Sequence, residues 1–184
     1  MGRLAPVTLG HGLAHHRIKE HAGCPPLVIL GSTNIFTGKP PRDEKEKLHM
    51  LRTPFTFDQR REMARVALGE SVEILGLPDR NPDPARHSTD FAQWLADIRA
   101  IEEQRGRRFV FHGGAPEDLR VLGETFETRV TVDRSTLGRG ISATTVREHL
   151  RRTDRAALSE LLHSAVIPLA LDFFHENLKT IEGR

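Results

Sequence analysis

The sequence predicts an α/β domain with a mainly parallel sheet flanked by helices. Short apolar runs bounded by Gly and Pro alternate along the chain with longer helical patterns, which is the element order of parallel sheets. The length of 184 residues is that of one domain. We therefore treat residues 1–184 as a single unit.

Four segments have the pattern of buried strands. The first, PPLVILGST at residues 25–33, is a short apolar run between a Pro pair and a Gly turn. SVEILGLP at 71–78 and RRFVFHGG at 107–114 have the same shape, and TRVTVDRS at 128–135 alternates more weakly. Helical patterns that alternate with such strands favour parallel pairing.

The intervening segments have helical patterns. Residues 10–21 have a helix-like composition, and residues 53–69 add end signals. Thr56 and Gln59 form the spacing of a capping box, and Gly69 can close the helix. A third helix, residues 89–106, places five large apolar side chains on one face: Phe91, Trp94, Leu95, Ile98 and Ile101.

The tail and one long polar segment complete the prediction. Helices are expected at about 145–152 and 154–178, with Pro168 marking a boundary or kink. Residues 37–54 are charged and rich in proline, which predicts a long exposed loop with at most one helical turn. The last four residues, IEGR at 181–184, resemble a protease-cleavage sequence and are left out of the fold prediction, although they could equally be native.

Composition excludes several classes of protein. The 27 Lys and Arg residues nearly balance 25 Asp and Glu, which gives no reason to expect nucleic-acid binding. No apolar run reaches the length of a membrane span, and no signal-peptide pattern opens the chain. One cysteine, Cys24, excludes an intramolecular disulfide and a multi-cysteine zinc site. We expect a cytoplasmic protein that binds neither nucleic acid nor membrane.

Three turns have residues suited to holding phosphate. Ligands in α/β folds bind at the carboxyl ends of strands and at helix N-termini. The first turn carries Thr8, Gly10 and His11, and the second is the Gly31-Ser32 turn after an apolar run. Each also has an ordinary structural interpretation, as a helix start and as a strand end. The neighbouring His15 and His16 are interpreted as surface histidines rather than metal ligands, because no acidic or cysteine partner has matching spacing.

The third turn, GRGISATTVREHL at 138–150, has more polar side chains than a helix start needs. Thr145 and Glu148 have the spacing of a capping box, which would start the helix without Ser142 and Thr144. Arg147 would lie in the first turn, where a cation opposes the helix dipole. A bound anion would remove that conflict, because backbone N–H groups, hydroxyls and a guanidinium together bind phosphate well.

Taken in order, these turns resemble one family. PVTLGH, VILGSTN, TPFTFDQR and ISATTVRE are similar to the nucleotidyltransferase superfamily with its (H/T)xGH and ISxTxxR signatures, and most of all to archaeal-type nicotinamide-mononucleotide adenylyltransferases. The resemblance covers most of the chain and implies a Rossmann-like nucleotidyltransferase fold. The matching residues are Gly2, Arg3, Pro6, Thr8, Gly10, His11, Gly31, Ser32, Pro54, Phe55, Thr56, Arg60, Trp94, Ser142, Thr144 and Arg147.

The resemblance implies transfer of AMP from ATP to nicotinamide mononucleotide, giving NAD and pyrophosphate. It gives catalytic roles to Thr8, His11 and Arg147, with the first two on the ATP phosphates and the third on the leaving phosphates. A magnesium ion would bridge the ATP oxygens, held mostly by phosphate and water. Arg60 would steady a phosphate and Trp94 would stack on the acceptor base. The implied ATP-binding residues are Arg3, Gly10, Gly31, Ser32, Ser142, Thr144 and Thr145.

Four departures keep other functions open. Thr8 replaces the first histidine of the family, as in the pantetheine-phosphate branch, and Phe91 replaces the Asn that reads the nicotinamide amide. The loop between Gly31-Ser32 and Pro54 is longer than usual, and the apolar strand that precedes the family's first motif does not precede Gly2 here. One alternative is a related enzyme with another acceptor, such as nicotinate mononucleotide or phosphopantetheine, or with another base, such as CTP with a phosphoalcohol. A second is a non-catalytic nucleotide-binding module, and a homo-oligomer is compatible with each.

Overall fold

The computed structural model of the chain describes residues 4–79, 91–113, 116–130 and 141–183. Within these ranges it contains eight helices and four strands, in a mixed α/β arrangement. In chain order they are α1 (Leu9–Ala22), β1 (Val28–Leu30), α2 (Glu44–Met50), α3 (Phe57–Leu68), β2 (Ile74–Gly76), α4 (Phe91–Arg105), β3 (Val110–Gly113), α5 (Pro116–Gly123), β4 (Glu127–Val130), α6 (Ala143–Arg152), α7 (Arg155–Ser159) and α8 (Val166–Glu182).

The four strands form two parallel pairs. β1 pairs with β2, so that Val28 lies opposite Ile74, and β3 pairs with β4, so that Val110 lies opposite Glu127. Each of the four predicted segments contains a strand, and β1, β2 and β3 are shorter than the runs that predicted them. β4 covers Glu127–Val130, and residues 131–135 of the fourth segment lie outside the described residues. The single parallel sheet that was expected is not formed by the described residues, which give two sheets of two strands.

Two apolar clusters hold the elements together. One cluster joins β1 to the other strand pair, because Ile29 packs with Trp94 of α4 and Phe111 of β3. The other joins the segment before α1, the end of β1, and helices α3, α6, α7 and α8 around Phe174. The α/β class is therefore confirmed, and the two strand pairs share one packed interior.

The predicted ends of α3 are confirmed. The Thr56 N–H donates to Gln59 Oε1 at 2.9 Å, and the Gln59 N–H donates to Thr56 Oγ1 at 3.3 Å. These two bonds form the capping box at the helix start. Gly69 is the residue that follows the helix and its N–H donates to the Arg65 carbonyl at 2.8 Å.

The prediction of an exposed loop at 37–54 is wrong in part. Asp43 caps the seven-residue helix α2 by accepting from the Glu46 N–H, and helix α2 buries His49 and Met50. Met50 packs against Phe36 and Ile181 in a third small cluster. Most residues of α2 are charged, so the sequence pattern indicated an exposed loop, although His49 and Met50 anchor the helix in the interior.

In the C-terminal segment the predicted boundary near Pro168 is confirmed, and the exclusion of the last four residues from the fold is wrong. Pro168 is the third residue of α8, where the missing N–H breaks no helical hydrogen bond, so the boundary lies just before it. Ile181 is 1% exposed and belongs to the folded core, so the IEGR residues cannot be left out of the fold. Helix α5 was not predicted at all.

No helix in the described ranges is both long enough and apolar enough to cross a bilayer.

Candidate functional site

The first turn leads from a buried segment into α1. Thr8 is 5% exposed and stands immediately before the helix. Its backbone N–H donates to His11 Nδ1 at 3.0 Å, and its Oγ1 lies 2.8 Å from the same nitrogen. Because Nδ1 accepts from a backbone N–H, the proton of neutral His11 is on Nε2. His11 Nε2 is thus a donor, which is the form that a contact to a phosphate oxygen requires.

The second turn, Gly31-Ser32 at the end of β1, is held by a buried arginine. Arg60 is 1% exposed. Its Nη1 donates to the Gly31 carbonyl at 2.7 Å and its Nη2 to the Ser32 carbonyl at 3.1 Å. The resemblance assigned Arg60 to a ligand phosphate, but the structure gives it a different position. Its guanidinium lies inside the protein and fixes the turn, because carbonyl oxygens there need donors when they are buried.

A carboxylate that the sequence did not single out completes this turn. Ser32 is 2% exposed with φ of +57°, and its Oγ donates to Asp79 Oδ2 at 2.8 Å. Asn34 Nδ2 donates to the Asp79 carbonyl at 2.9 Å, while the Asp79 N–H donates to Asn34 Oδ1 at 2.8 Å. Asp79 follows β2 at its carboxyl end, and this position was the signal that could have identified it.

The third turn starts α6 earlier than predicted. The N-cap is Ser142, whose Oγ accepts from the Thr145 N–H at 3.0 Å. Thr145 is therefore the third residue of the helix and not its cap, so the expected capping box with Glu148 is wrong. The Thr145 hydroxyl lies 2.9 Å from Ser142 Oγ, and Thr144 Oγ1 accepts from Arg147 Nη2 at 3.1 Å. Each hydroxyl of the cluster thus has a structural contact.

The first and third turns are in contact. Arg147 Nη1 donates to the backbone carbonyl of Ala5 at 3.3 Å, although the two residues are 142 positions apart. Val146 packs in the same apolar cluster as Val7 of the first turn and Leu30, which immediately precedes the second. The Leu9 N–H also donates to the Leu161 carbonyl at 2.9 Å, which fixes the start of α1. The three turns therefore emerge from one cluster.

Trp94 lies in the protein interior. It is 6% exposed and packs with Ile98 and Phe111. Stacking on an acceptor base needs an exposed ring face, so burial replaces the stacking role with a packing role in this structure. Arg3 lies outside the described residues, and the Phe91 side chain is likewise not described.

The histidines of α1 beyond His11 have no metal-binding arrangement. His15 is half-buried, and burial together with nearby Lys19 and His16 lowers the pKa of His15, which keeps it neutral at pH 7. His16 is exposed and lies 3.3 Å from Glu20. Throughout the part of the chain that the structure describes, His, Cys, Asp and Glu side chains form no group of three that could hold an ion.

Neither the protein-family models nor the curated protein sequences with which the chain was compared match it.

Proposed function

We propose that the chain is an adenylyltransferase that moves AMP from ATP to nicotinamide mononucleotide. A phosphate oxygen of the acceptor would attack the α-phosphorus of ATP in line, and the bond from that phosphorus to the bridging oxygen would break. The products are NAD and pyrophosphate, and the protein forms no covalent bond. Such a reaction depends on holding two anions in position and on neutralising charge as it develops.

One observation carries this proposal: the contact of Arg147 with the Ala5 carbonyl. It places Arg147 of α6 beside the segment that leads into α1. We infer that the N-termini of α1 and α6 face one bound ligand. Helix N-termini present backbone N–H groups and a positive dipole end, which favour phosphate. Two such ends with a guanidinium between them suit a triphosphate better than a single phosphate.

Each described residue has a definite role in this proposal. His11 Nε2–H would donate to an ATP phosphate oxygen, and Thr8 would hold the imidazole in that tautomer. Arg147, with the α6 start at Ser142 and Thr144, would hold the β- and γ-phosphates. Arg60 would act through the Gly31-Ser32 turn and would not touch the ligand.

Mg²⁺ would enter with the nucleotide, bound by phosphate oxygens and water, and would reduce the negative charge of the triphosphate.

A second candidate function keeps the reaction and changes the acceptor. Burial of Trp94 at 6% exposure favours it, because the nicotinamide-mononucleotide assignment rests partly on an exposed indole. Nicotinate mononucleotide and phosphopantetheine are the acceptors to compare. Both carry a phosphate that could attack the same phosphorus atom.

The experiment that tests the proposal is pyrophosphate release from ATP and Mg²⁺ with a panel of the three acceptors. Release with nicotinamide mononucleotide supports the first candidate, and release only with another acceptor supports the second. ATP binding without release for any acceptor would refute catalysis and leave a nucleotide-binding module.

A matched pair of histidine variants shows whether release comes from this site. His11→Ala should lower kcat about 100-fold or more, the usual effect of removing one donor to a transition-state oxyanion. His16→Ala changes an exposed histidine of the same helix and should have no effect, because 67% of its side chain is exposed. Equal activity of the two variants would exclude His11 from the reaction.

A further inference from the structure

Asn177 is a polar residue on the buried face of α8. It is 5% exposed, and the other buried residues of this helix include Leu171, Phe174 and Ile181. Burying an amide costs free energy unless its donors and acceptor are paired. The contacts of Asn177 therefore indicate what its side chain does.

The Asn177 amide is bonded to the start of α3. Its Nδ2 donates to the Pro54 carbonyl at 2.8 Å and to Gln59 Oε1 at 2.7 Å. The Gln59 Nε2 lies 3.4 Å from Asn177 Oδ1, which closes a reciprocal amide pair. These contacts span 118 or more residues of sequence, so they join α8 to a distant part of the chain.

The same contacts lead on to the second turn of the candidate site. Gln59 Oε1 accepts from Asn177 and also from the Thr56 N–H at 2.9 Å, so one oxygen serves both α8 and the capping box of α3. The residue after Gln59 is Arg60, whose guanidinium bonds the Gly31 and Ser32 carbonyls. A displacement of Gln59 would therefore move the arginine that fixes the turn.

We propose that Asn177 is a positioning residue: by locking Gln59 it sets the place of Arg60 and of the Gly31-Ser32 turn. The Asn177–Gln59 link, rather than the packing of α8 as a whole, then sets the order of this turn. The proposal rests on the proposed function for its catalytic consequence, although its structural consequence is measurable without any activity. A purely structural role would instead affect the stability of the whole protein evenly.

The first test compares Asn177→Ala with Leu171→Ala. Leu171 is 3% exposed on the same face of α8 and packs in the apolar cluster, so its loss weakens α8 without breaking the polar link. Hydrogen exchange is measured at the amides of Thr33 and Arg60, which donate to Leu77 and Thr56 carbonyls, and at Ile98 in α4 as reference. Asn177→Ala should speed exchange at Thr33 and Arg60 about tenfold relative to Ile98.

Leu171→Ala should speed exchange at the three amides in equal proportion, because it acts on global unfolding. Equal proportions in the Asn177→Ala variant would overturn the proposal. This result does not depend on turnover, so it separates failure of the positioning role from failure of the proposed function.

The second test uses conservative replacement of Gln59. Gln59→Glu keeps an oxygen that accepts from both Thr56 and Asn177 but loses the Nε2 donor to Asn177 Oδ1, so exchange at Thr33 and Arg60 should lie between that of the unchanged protein and that of Gln59→Ala. Gln59→Ala removes that oxygen, and combining it with Asn177→Ala should add little further effect. Fully additive effects in the double variant would overturn the link between the two residues.

The catalytic consequence is that the substitution should change KM and kcat by different factors. If pyrophosphate is released, Asn177→Ala should raise the KM for ATP about tenfold while kcat changes less, because the turn positions substrate and does not react. Leu171→Ala should leave both constants near those of the unchanged protein below its unfolding temperature. An unaltered KM in Asn177→Ala would overturn the catalytic consequence of the positioning role.

Discussion

Arg147 donates to the backbone carbonyl of Ala5 at 3.3 Å and to the hydroxyl of its helix neighbour Thr144 at 3.1 Å. The guanidinium thus lies between the start of α6 and the segment that enters α1. Because α6 starts at Ala143, Arg147 is the fifth residue of the helix and does not lie in its first turn as predicted, so the helix dipole opposes this cation less than expected. The two oxygen acceptors fix the guanidinium in this position. An anion bound at the same place would pair with its charge.

Replacement of Arg147 by Ala should weaken triphosphate binding far more than monophosphate binding. The loss for ATP should be about 10- to 100-fold, in the range of a lost charge-assisted hydrogen bond. AMP lacks the β- and γ-phosphates that Arg147 would hold, so its affinity should change by less than about threefold. Calorimetric titration with each nucleotide measures both constants.

Arg151→Ala is the matched control for this change. It removes another arginine of α6, which is 52% exposed and pairs with Glu182 at 3.2 Å, away from the start of the helix. Neither nucleotide should bind differently to this variant. If Arg147→Ala reduces ATP and AMP affinity by the same factor, Arg147 does not hold the leaving phosphates.

The sequence indicated which turns carry the polar residues, but not what each side chain contacts. Ser142 and Thr145 both suit an N-cap, and a hydroxyl spacing alone does not say which one starts the helix. The structure uses Ser142 as the cap and pairs Thr145 with it. Which hydroxyl caps the helix also depends on tertiary packing, because Val146 of α6 is buried in the apolar cluster.

Arg60 and Trp94 show the same limit for ligand contacts. Arginine is rarely buried, so an exposed, ligand-binding role was the natural expectation for Arg60. Its burial is explained by two carbonyls of a tight turn 28 and 29 residues earlier, which the sequence could not reveal. Trp94 was placed on the apolar face of its helix, but the depth of that face depends on β1 and β3.

The fold itself was predictable at the level of elements. Local signals located α3 and its ends, because Thr56, Gln59 and Gly69 act within one helix. Strand pairing was not predictable, since the parallel pairs β1–β2 and β3–β4 are set by packing between distant segments. Helix α2 was missed because its buried residues, His49 and Met50, are two among many charged neighbours.

Glu102 should make the stability of the protein depend on acid pH. It is 2% exposed, and burial alone would raise its pKa, but hydrogen bonds from the Phe109 N–H and Arg99 outweigh burial and hold the pKa of Glu102 below its usual range. The folded state therefore prefers the carboxylate. Its stabilisation is fully present above the usual pKa of glutamate, about 4.3, and is lost as pH falls through the lower pKa of the folded state.

Glu102→Gln should accordingly lower the free energy of unfolding at pH 7 by about 2–3 kcal/mol, the value of hydrogen bonds to a charged group. The difference should shrink toward pH 3, where the unchanged protein also loses the charge. Denaturant unfolding at several pH values measures the free energy of unfolding of both proteins.

The neighbouring Glu103 is exposed, so Glu103→Gln is the control, and its free energy of unfolding should differ little from that of the unchanged protein at any pH. A constant difference between Glu102→Gln and the unchanged protein across pH 3–7 would contradict the assigned linkage.

Gly76 should tolerate no side chain, because α3 and the Gly31-Ser32 turn meet over it. A Cβ at this position would lie 2.8 Å from Phe57 Cε2 and 2.8 Å from Thr33 Cγ2. Gly76→Ala should therefore lower the free energy of unfolding by about 1–3 kcal/mol, as overpacking does.

The control is Gly12→Ala. Gly12 lies in α1 with nothing within 4 Å of an added Cβ, so Gly12→Ala should instead raise the free energy of unfolding by up to about 1 kcal/mol through the higher helix propensity of Ala. Urea unfolding of both variants compares the same chemical change at two positions. If Gly76→Ala proves as stable as the unchanged protein, α3 and the turn do not meet as closely as the structure has them.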